Sequence, residues 1–122
     1  MTTNEMSLDQ CRDWLARKDG WMPGLVEPWH CLGWGRGNER MVDHPYPPTL
    51  DGAAGAMPEG WTWAKGYTVS VGMGAPPSGV AWSAKFVGDY ARLSASVWST
   101  GNEILDRYRL AVACRMAMKG TP

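Results

Sequence analysis

Residues 80–98 read VAWSAKFVGDYARLSASVW, and this stretch decides the fold. Apolar and polar residues alternate on both sides of Gly88-Asp89, which is the pattern of two half-buried strands joined by a tight turn. A two-residue turn there places Val87 opposite Tyr90 and brings the apolar side chains of both strands to one face of a sheet. The other face is then polar and built of small side chains. The pattern predicts an antiparallel hairpin with one buried face.

Helical patterns lie on both sides of this hairpin. Ser7 and Gln10 have the spacing of a capping box, and apolar residues follow at helical intervals. By the same criteria helices are predicted at 7–18, 49–57 and 101–119. Residues 61–71 alternate with period two and predict a third long strand. This order of elements predicts an α+β fold in one domain, residues 1–122.

The segment between the first two helices is rich in glycine and proline. Short strands are predicted at 21–26 and 29–32. Residues 33–48 are predicted to form a long loop, because glycines alternate at its start and three prolines in HPYPP restrict its end.

The composition and the hydropathy pattern argue against several classes of protein. Twelve basic and twelve acidic residues give a formal net charge of zero, which argues against direct nucleic-acid binding and against a polybasic membrane surface. No apolar run reaches the roughly 18 residues of a membrane span. The first residues lack the pattern of a signal peptide, and the 3 cysteines are an odd number. We therefore expect reduced thiols and a cytoplasmic location.

Catalytic and metal-binding patterns are also missing from the sequence. There is no G-x-S-x-G nucleophile motif. His30 and Cys31 are adjacent, so on a strand their side chains would point to opposite faces. The 2 histidines and 3 cysteines are not arranged in close pairs, so neither a metal nor a cofactor is expected. We expect a protein that is not an enzyme, with a small hydrolase that uses His44 as one alternative.

Binding residues are the stronger candidates. Arginine suits phosphate or carboxylate through paired hydrogen bonds, and tryptophan stacks on planar rings. The candidates in the loop are Trp34, Arg36, Arg40, His44 and Tyr46, and those on the hairpin are Lys85, Arg92 and Trp98. Together they suit an anionic, nucleotide-like small molecule. The simpler alternative is that these charges only keep a loop and an open sheet face hydrated.

Two segments carry a family resemblance. Residues 44–54, HPYPPTLDGAA, and 57–63, MPEGWTW, resemble small phage and prophage proteins of the phage ABA-sandwich type, as do residues 8–21 and 103–113. The resemblance implies an α-β-α sandwich with an antiparallel sheet of three to five strands and N-terminal, middle and C-terminal helices. It implies no catalytic residues.

The resemblance also shapes the functional expectation. It implies a phage or prophage setting but no activity. Together with the small size, the zero net charge and the missing catalytic patterns, it leads us to expect a phage- or prophage-encoded accessory protein that acts by binding, as an anti-defence factor that sequesters a nucleotide-like signal or blocks a host protein. The first alternative is an interaction module in phage assembly, a homo-oligomer with exposed tryptophan and methionine in its contacts.

Overall fold

The computed structural model describes residues 3–26, 31–68, 79–88 and 92–118 of the chain. Within these residues the fold is α+β, as predicted. Its helices are α1 (Leu8–Lys18), α2 (Leu50–Ala56) and α3 (Glu103–Met118), with a 3-10 turn at Thr3–Glu5. Its strands are β1 (Met22–Val26), β2 (Cys31–Arg36), β3 (Glu39–Met41), β4 (Trp61–Thr68), β5 (Gly79–Val87) and β6 (Arg92–Trp98). The strands form two antiparallel sheets, β1-β2-β3 and β4-β5-β6.

The start of α1 confirms the capping box. The Ser7 hydroxyl accepts a hydrogen bond from the Gln10 backbone N–H at 3.1 Å, and the Gln10 side chain accepts one from the Ser7 N–H at 2.8 Å. Both bonds satisfy donors that the first turn of a helix leaves unpaired. Gly20 follows the helix with a φ of 90°, a conformation that suits glycine.

Helix α2 is short and lies close to α3. The Thr49 hydroxyl caps it by accepting from the Gly52 N–H at 3.0 Å. Ala53 and Ala56 are fully buried, and α2 packs on α3. The Tyr108 hydroxyl of α3 donates to the Pro47 carbonyl at 2.5 Å, which fixes the proline-rich segment beside the start of α2.

The predicted loop at 33–48 is wrong in its first part, because residues 33–36 and 39–41 are in strands. Gly37-Asn38 forms a two-residue connection between Arg36 and Glu39, and Gly37 has a φ of 57°. Glycine and asparagine are residues that such hairpin turns require. The prediction failed because alternate glycines on β2 hide the usual strand pattern. Strand β1 confirms the strand predicted at 21–26. Of the strand predicted at 29–32, residues 31–32 are in β2 and residues 29–30 lie outside the described residues.

The main hairpin has a different register from the predicted one. Val87 pairs with Arg92, and Trp82 pairs with Val97. The strands are shifted by two residues, so residues 88–91 connect them and the two-residue Gly88-Asp89 turn is wrong. Because an even shift keeps every side chain on its face, the predicted division into apolar and polar faces survives. Residues 69–71 of the predicted third strand and residue 119 of the predicted third helix lie outside the described residues.

Helix α3 stands at the centre of the core. On one side it packs against α1 and α2, in a buried cluster that includes Leu15, Ala53 and Tyr108. On another side it packs against one face of β4-β5-β6, around Trp82 and Leu110. We call this the inner face of the sheet. No described helix is long and apolar enough to span a membrane.

Candidate functional site

The face of β4-β5-β6 that points away from α3 is called the outer face here. Strand pairing orders its side chains in rows across the sheet. One row holds Thr62, Lys85 and Ser94, and the next holds Ala64, Ser83 and Ser96. All six residues are exposed. The outer face is therefore an open surface of small, mostly hydroxyl-bearing side chains.

Two cations lie at one end of the outer face. Lys85 is opposite Ser94, and Arg92 lies two residues before Ser94 on the same strand. Both cations are exposed, and neither has an acidic partner among the described residues. A shallow cavity of about 340 Å³ lies between them. A second one, of about 350 Å³, continues over Ser83 and Ser96. This end of the face can receive an anion.

Trp98 is on the same face but at the other end. It is half-buried, its ring covers Gly79, and its backbone N–H donates to the Asn4 side chain at 2.9 Å. Trp98 is four residues from Ser94 along β6, which is roughly 13 Å at the rise of a strand. The cations and the tryptophan therefore belong to one surface but not to one compact pocket.

The other candidates lie on β2 and β3 and in the segment that follows. Arg36 forms an ion pair with Glu39 at 3.1 Å and lies 4.5 Å from the centre of the Trp21 ring. Arg40 donates to the backbone carbonyls of Gly37 and Glu39. The Arg36–Glu39 pair and the bonds of Arg40 lie within the β2-β3 hairpin, whereas Arg36 also reaches Trp21, which precedes β1. Arg40 still borders a cavity of about 270 Å³ beside β1.

Both nitrogens of His44 are occupied. Its Nδ1 accepts a hydrogen bond from the Tyr46 backbone N–H at 3.0 Å, and its Nε2 lies 2.8 Å from the Asp13 carboxylate. With Nδ1 as an acceptor, Nε2 is the nitrogen that donates to Asp13. The Trp34 ring lies 4.6 Å away, centre to centre, and covers part of the imidazole. A general base needs a free lone pair, and in this arrangement His44 offers none.

A polar cluster that sequence reasoning missed surrounds Asp19. The Tyr46 hydroxyl and the Arg115 guanidinium both donate to its carboxylate, the latter at 2.8 Å. Burial raises the pKa of Asp19, but the bonds from Arg115 and Tyr46 outweigh it, and the pKa lies below the usual 3.8. Burial and the neighbouring carboxylate raise the pKa of Tyr46 to about 12. Tyr46 is thus a structural donor here. Tyr46 and Arg115 are 27 and 96 residues away from Asp19 in sequence, so no local pattern reveals the cluster.

No group of three or more His, Cys, Asp or Glu side chains in the described part of the chain is placed to hold a metal ion.

Comparison with known proteins gave no relatives. No protein-family model, no curated protein and no solved structure matches this chain. The resemblance to phage ABA-sandwich proteins therefore stays a prediction from the sequence.

Proposed function

We propose that the protein acts by binding an anionic, nucleotide-like small molecule on the outer face of β4-β5-β6. One observation carries the proposal: Lys85 and Arg92 are diagonal neighbours on β5 and β6 that line one cavity, both are exposed, and neither has an acidic partner among the described residues. Two neighbouring cations repel each other, and an anion between them removes that cost.

The surroundings of the two cations favour a phosphate-like group. Thr62 and Ser94 lie on either side of Lys85 in the same row and supply hydroxyl donors. Arginine can donate two parallel hydrogen bonds to a phosphate, and lysine adds a point charge. Trp98, further along the face, offers a stacking surface for a ligand long enough to reach it.

The α-β-α sandwich that the resemblance implies is likewise a proposal. Helix α3 provides one helical layer of the α-β-α sandwich that the resemblance implies. Most side chains of the outer face are exposed, and among the described residues only the 3-10 turn at Thr3–Glu5 reaches its Trp98 end, so no second helical layer covers it there.

The biological setting rests on the resemblance alone. In that setting the protein would sequester a host nucleotide signal as a phage anti-defence factor, or block a host protein, in the cytoplasm. The alternative of a hydrolase that uses His44 gains no support from the geometry, because both ring nitrogens are already bonded.

The test combines two measurements. Native mass spectrometry of gently purified protein looks for a retained small ligand, and calorimetry then measures binding of ATP and of inorganic phosphate. We expect Lys85→Gln with Arg92→Gln to weaken ATP binding at least about tenfold, since each lost charged contact contributes roughly 1.5 kcal/mol or more.

The matched control removes the same charge elsewhere. Arg17→Gln with Lys18→Gln changes two exposed cations on α1, and it should leave ATP binding unchanged. No binding of ATP or phosphate by the wild type, or equal losses in both double variants, would contradict the proposal.

A further inference from the structure

Strand β4 is a long and regular sheet edge. Its residues 61–68 pair with β5 without a bulge, and no described strand pairs with its other side. Residues 62–67 are all exposed. In an edge strand, alternate backbone N–H and C=O groups point away from the sheet and have no strand partner. β4 therefore presents a ready template for one more strand.

The usual protections of an edge are nearly missing from β4. Natural edge strands carry proline, bulges or several charges, which discourage pairing. Residues 61–68 contain no proline, and their only charge is Lys65 on the inner face, whose Nζ lies 5.6 Å from the centre of the Trp82 ring. This single inward-pointing lysine is the one protection of the edge that remains. The other edge of this sheet differs, because Asn4 bonds to the backbone of β6 at Trp98. A formal net charge of zero also means that copies of the chain do not repel each other strongly.

We propose that β4 pairs antiparallel with β4 of a second copy, about a two-fold axis at Ala64. This register places Trp63 opposite Lys65 of the second copy, and the symmetry repeats the pair. A lysine beside a tryptophan ring makes a favourable cation–π contact. Trp61 then lies opposite Tyr67 of the second copy. In the single chain Trp63 is 39% and Tyr67 70% exposed, so pairing covers aromatic surface that is now open to water.

The neighbouring registers are less favourable. A two-fold axis at Lys65 places two lysines opposite each other, and like charges in that position destabilise a strand pair. A register that pairs Ala64 with Lys65 is an odd shift, which turns the inner face of one copy onto the outer face of the other and leaves no two-fold axis between them. Trp63 would then lie opposite Gly66, without a partner ring or cation. Charge and side-chain pairing thus select the axis at Ala64.

The resulting dimer has a continuous six-stranded sheet. Because the register is even, α3 of both copies lies on one side and both outer faces lie on the other. Pairing through β4 is independent of ligand binding, because the contact forms whether or not the outer face binds an anion.

The first test changes the charges of the paired residues 63 and 65. Analytical ultracentrifugation at up to about 100 µM protein measures the fraction of dimer. The wild type should dimerise. Trp63→Lys places lysine opposite Lys65 twice, so the dimer should weaken at least about tenfold. Adding Lys65→Glu converts both contacts to opposite charges and should restore the dimer. A monomeric wild type, or a double variant no more dimeric than Trp63→Lys alone, would overturn the proposal.

The second test fixes the register without changing Trp63. In a Cys31→Ser background, Ala64→Cys brings two cysteines together at the axis, where paired Cα atoms lie about 4.5–5.5 Å apart, within disulfide range. Thr62→Cys is the matched control, because Thr62 of each copy faces Gly66 and the two cysteines are roughly 13 Å apart. Mild oxidation should cross-link the first variant and not the second. Equal cross-linking, or cross-linking of Thr62→Cys only, would refute the axis.

Discussion

The indole Nε1 of Trp82 donates a hydrogen bond to the Asp106 carboxylate across 3.3 Å. Asp106 is 1% exposed, although it is an acidic residue in the first turn of α3. Its carboxylate also accepts hydrogen bonds from the Ser99 hydroxyl and from the N–H and hydroxyl of Thr100. One side chain thus joins the central strand, the segment after β6 and the start of α3.

Asp106→Ala should be among the most destabilising single changes in this chain. It leaves the buried indole N–H of Trp82 without an acceptor and removes the bonds from Ser99 and Thr100, and we expect a loss of about 3–5 kcal/mol in the free energy of unfolding. Glu103→Ala is the control, because Glu103 is exposed and makes one ion pair with Arg107, worth less than about 1 kcal/mol. Urea denaturation followed by tryptophan fluorescence compares them. Equal stability of the two variants would contradict this role of Asp106.

Two glycines of α2 should respond in opposite directions to the same substitution. A Cβ at Gly52 would fall on the Pro47 carbonyl oxygen and 2.8 Å from the Tyr108 hydroxyl, whereas a Cβ at Gly55 meets nothing within 4 Å. Helix propensity alone favours alanine at both sites by about 1 kcal/mol. We expect Gly55→Ala to raise the melting temperature and Gly52→Ala to lower it. A rise in both variants would mean that the contact of α2 with the proline-rich segment is looser than described.

Stability at acid pH should depend on Asp19. Its pKa is lower in the folded chain than in the unfolded chain, so its contribution is complete above the unfolded pKa near 4 and is lost as the pH falls through the folded value. Asp19→Asn should therefore lower stability at pH 7 and flatten the decline between about pH 5 and pH 2. Urea denaturation of both proteins at several pH values in that range measures how steeply the free energy of unfolding falls with pH in each. Parallel curves for the two proteins would show that Asp19 is not a cause of the decline.

The thiols should fall into two classes. Burial raises the pKa of Cys11 to about 11 and that of Cys114 to about 12, and both side chains are fully buried. Cys31 is partly exposed. Since the thiolate is the reactive form, a disulfide reagent at pH 8 should titrate Cys31 alone in the folded protein and all three cysteines in urea. In Cys31→Ser, fast labelling should vanish; its persistence would mean that α1 or α3 opens readily.

The sequence predicted the elements that depend on local signals. The capping box of Ser7 and Gln10 located α1, and period-two alternation located β5 and β6. The register of their pairing was missed by two residues, because a Gly-Asp pair favours a short turn and the observed connection is longer. The hairpin of β2 and β3 was missed because glycines at 33 and 35 carry no side chains to show alternation.

The candidate site residues show the same difference between local signals, which the sequence carries, and long-range contacts, which it does not. The polar alternation of β5 and β6 correctly placed Lys85 and Arg92 on one exposed sheet face. Trp34 and His44 were grouped with them by residue type, but the structure holds these two rings against each other elsewhere. The Asp19 cluster escaped because Arg115 is 96 residues away. Contacts of that length depend on tertiary packing, which local periodicity does not encode.

The central position of α3 has a consequence for synthesis. The apolar sides of α1, α2 and β4-β5-β6 all meet the 16 residues of this helix. Until residues 103–118 have been translated, α1, α2 and the sheet β4-β5-β6 lack the surface that they pack against. The nascent chain therefore carries its tryptophan-rich sheet unshielded, and cooperative folding begins only once α3 has emerged from the ribosome.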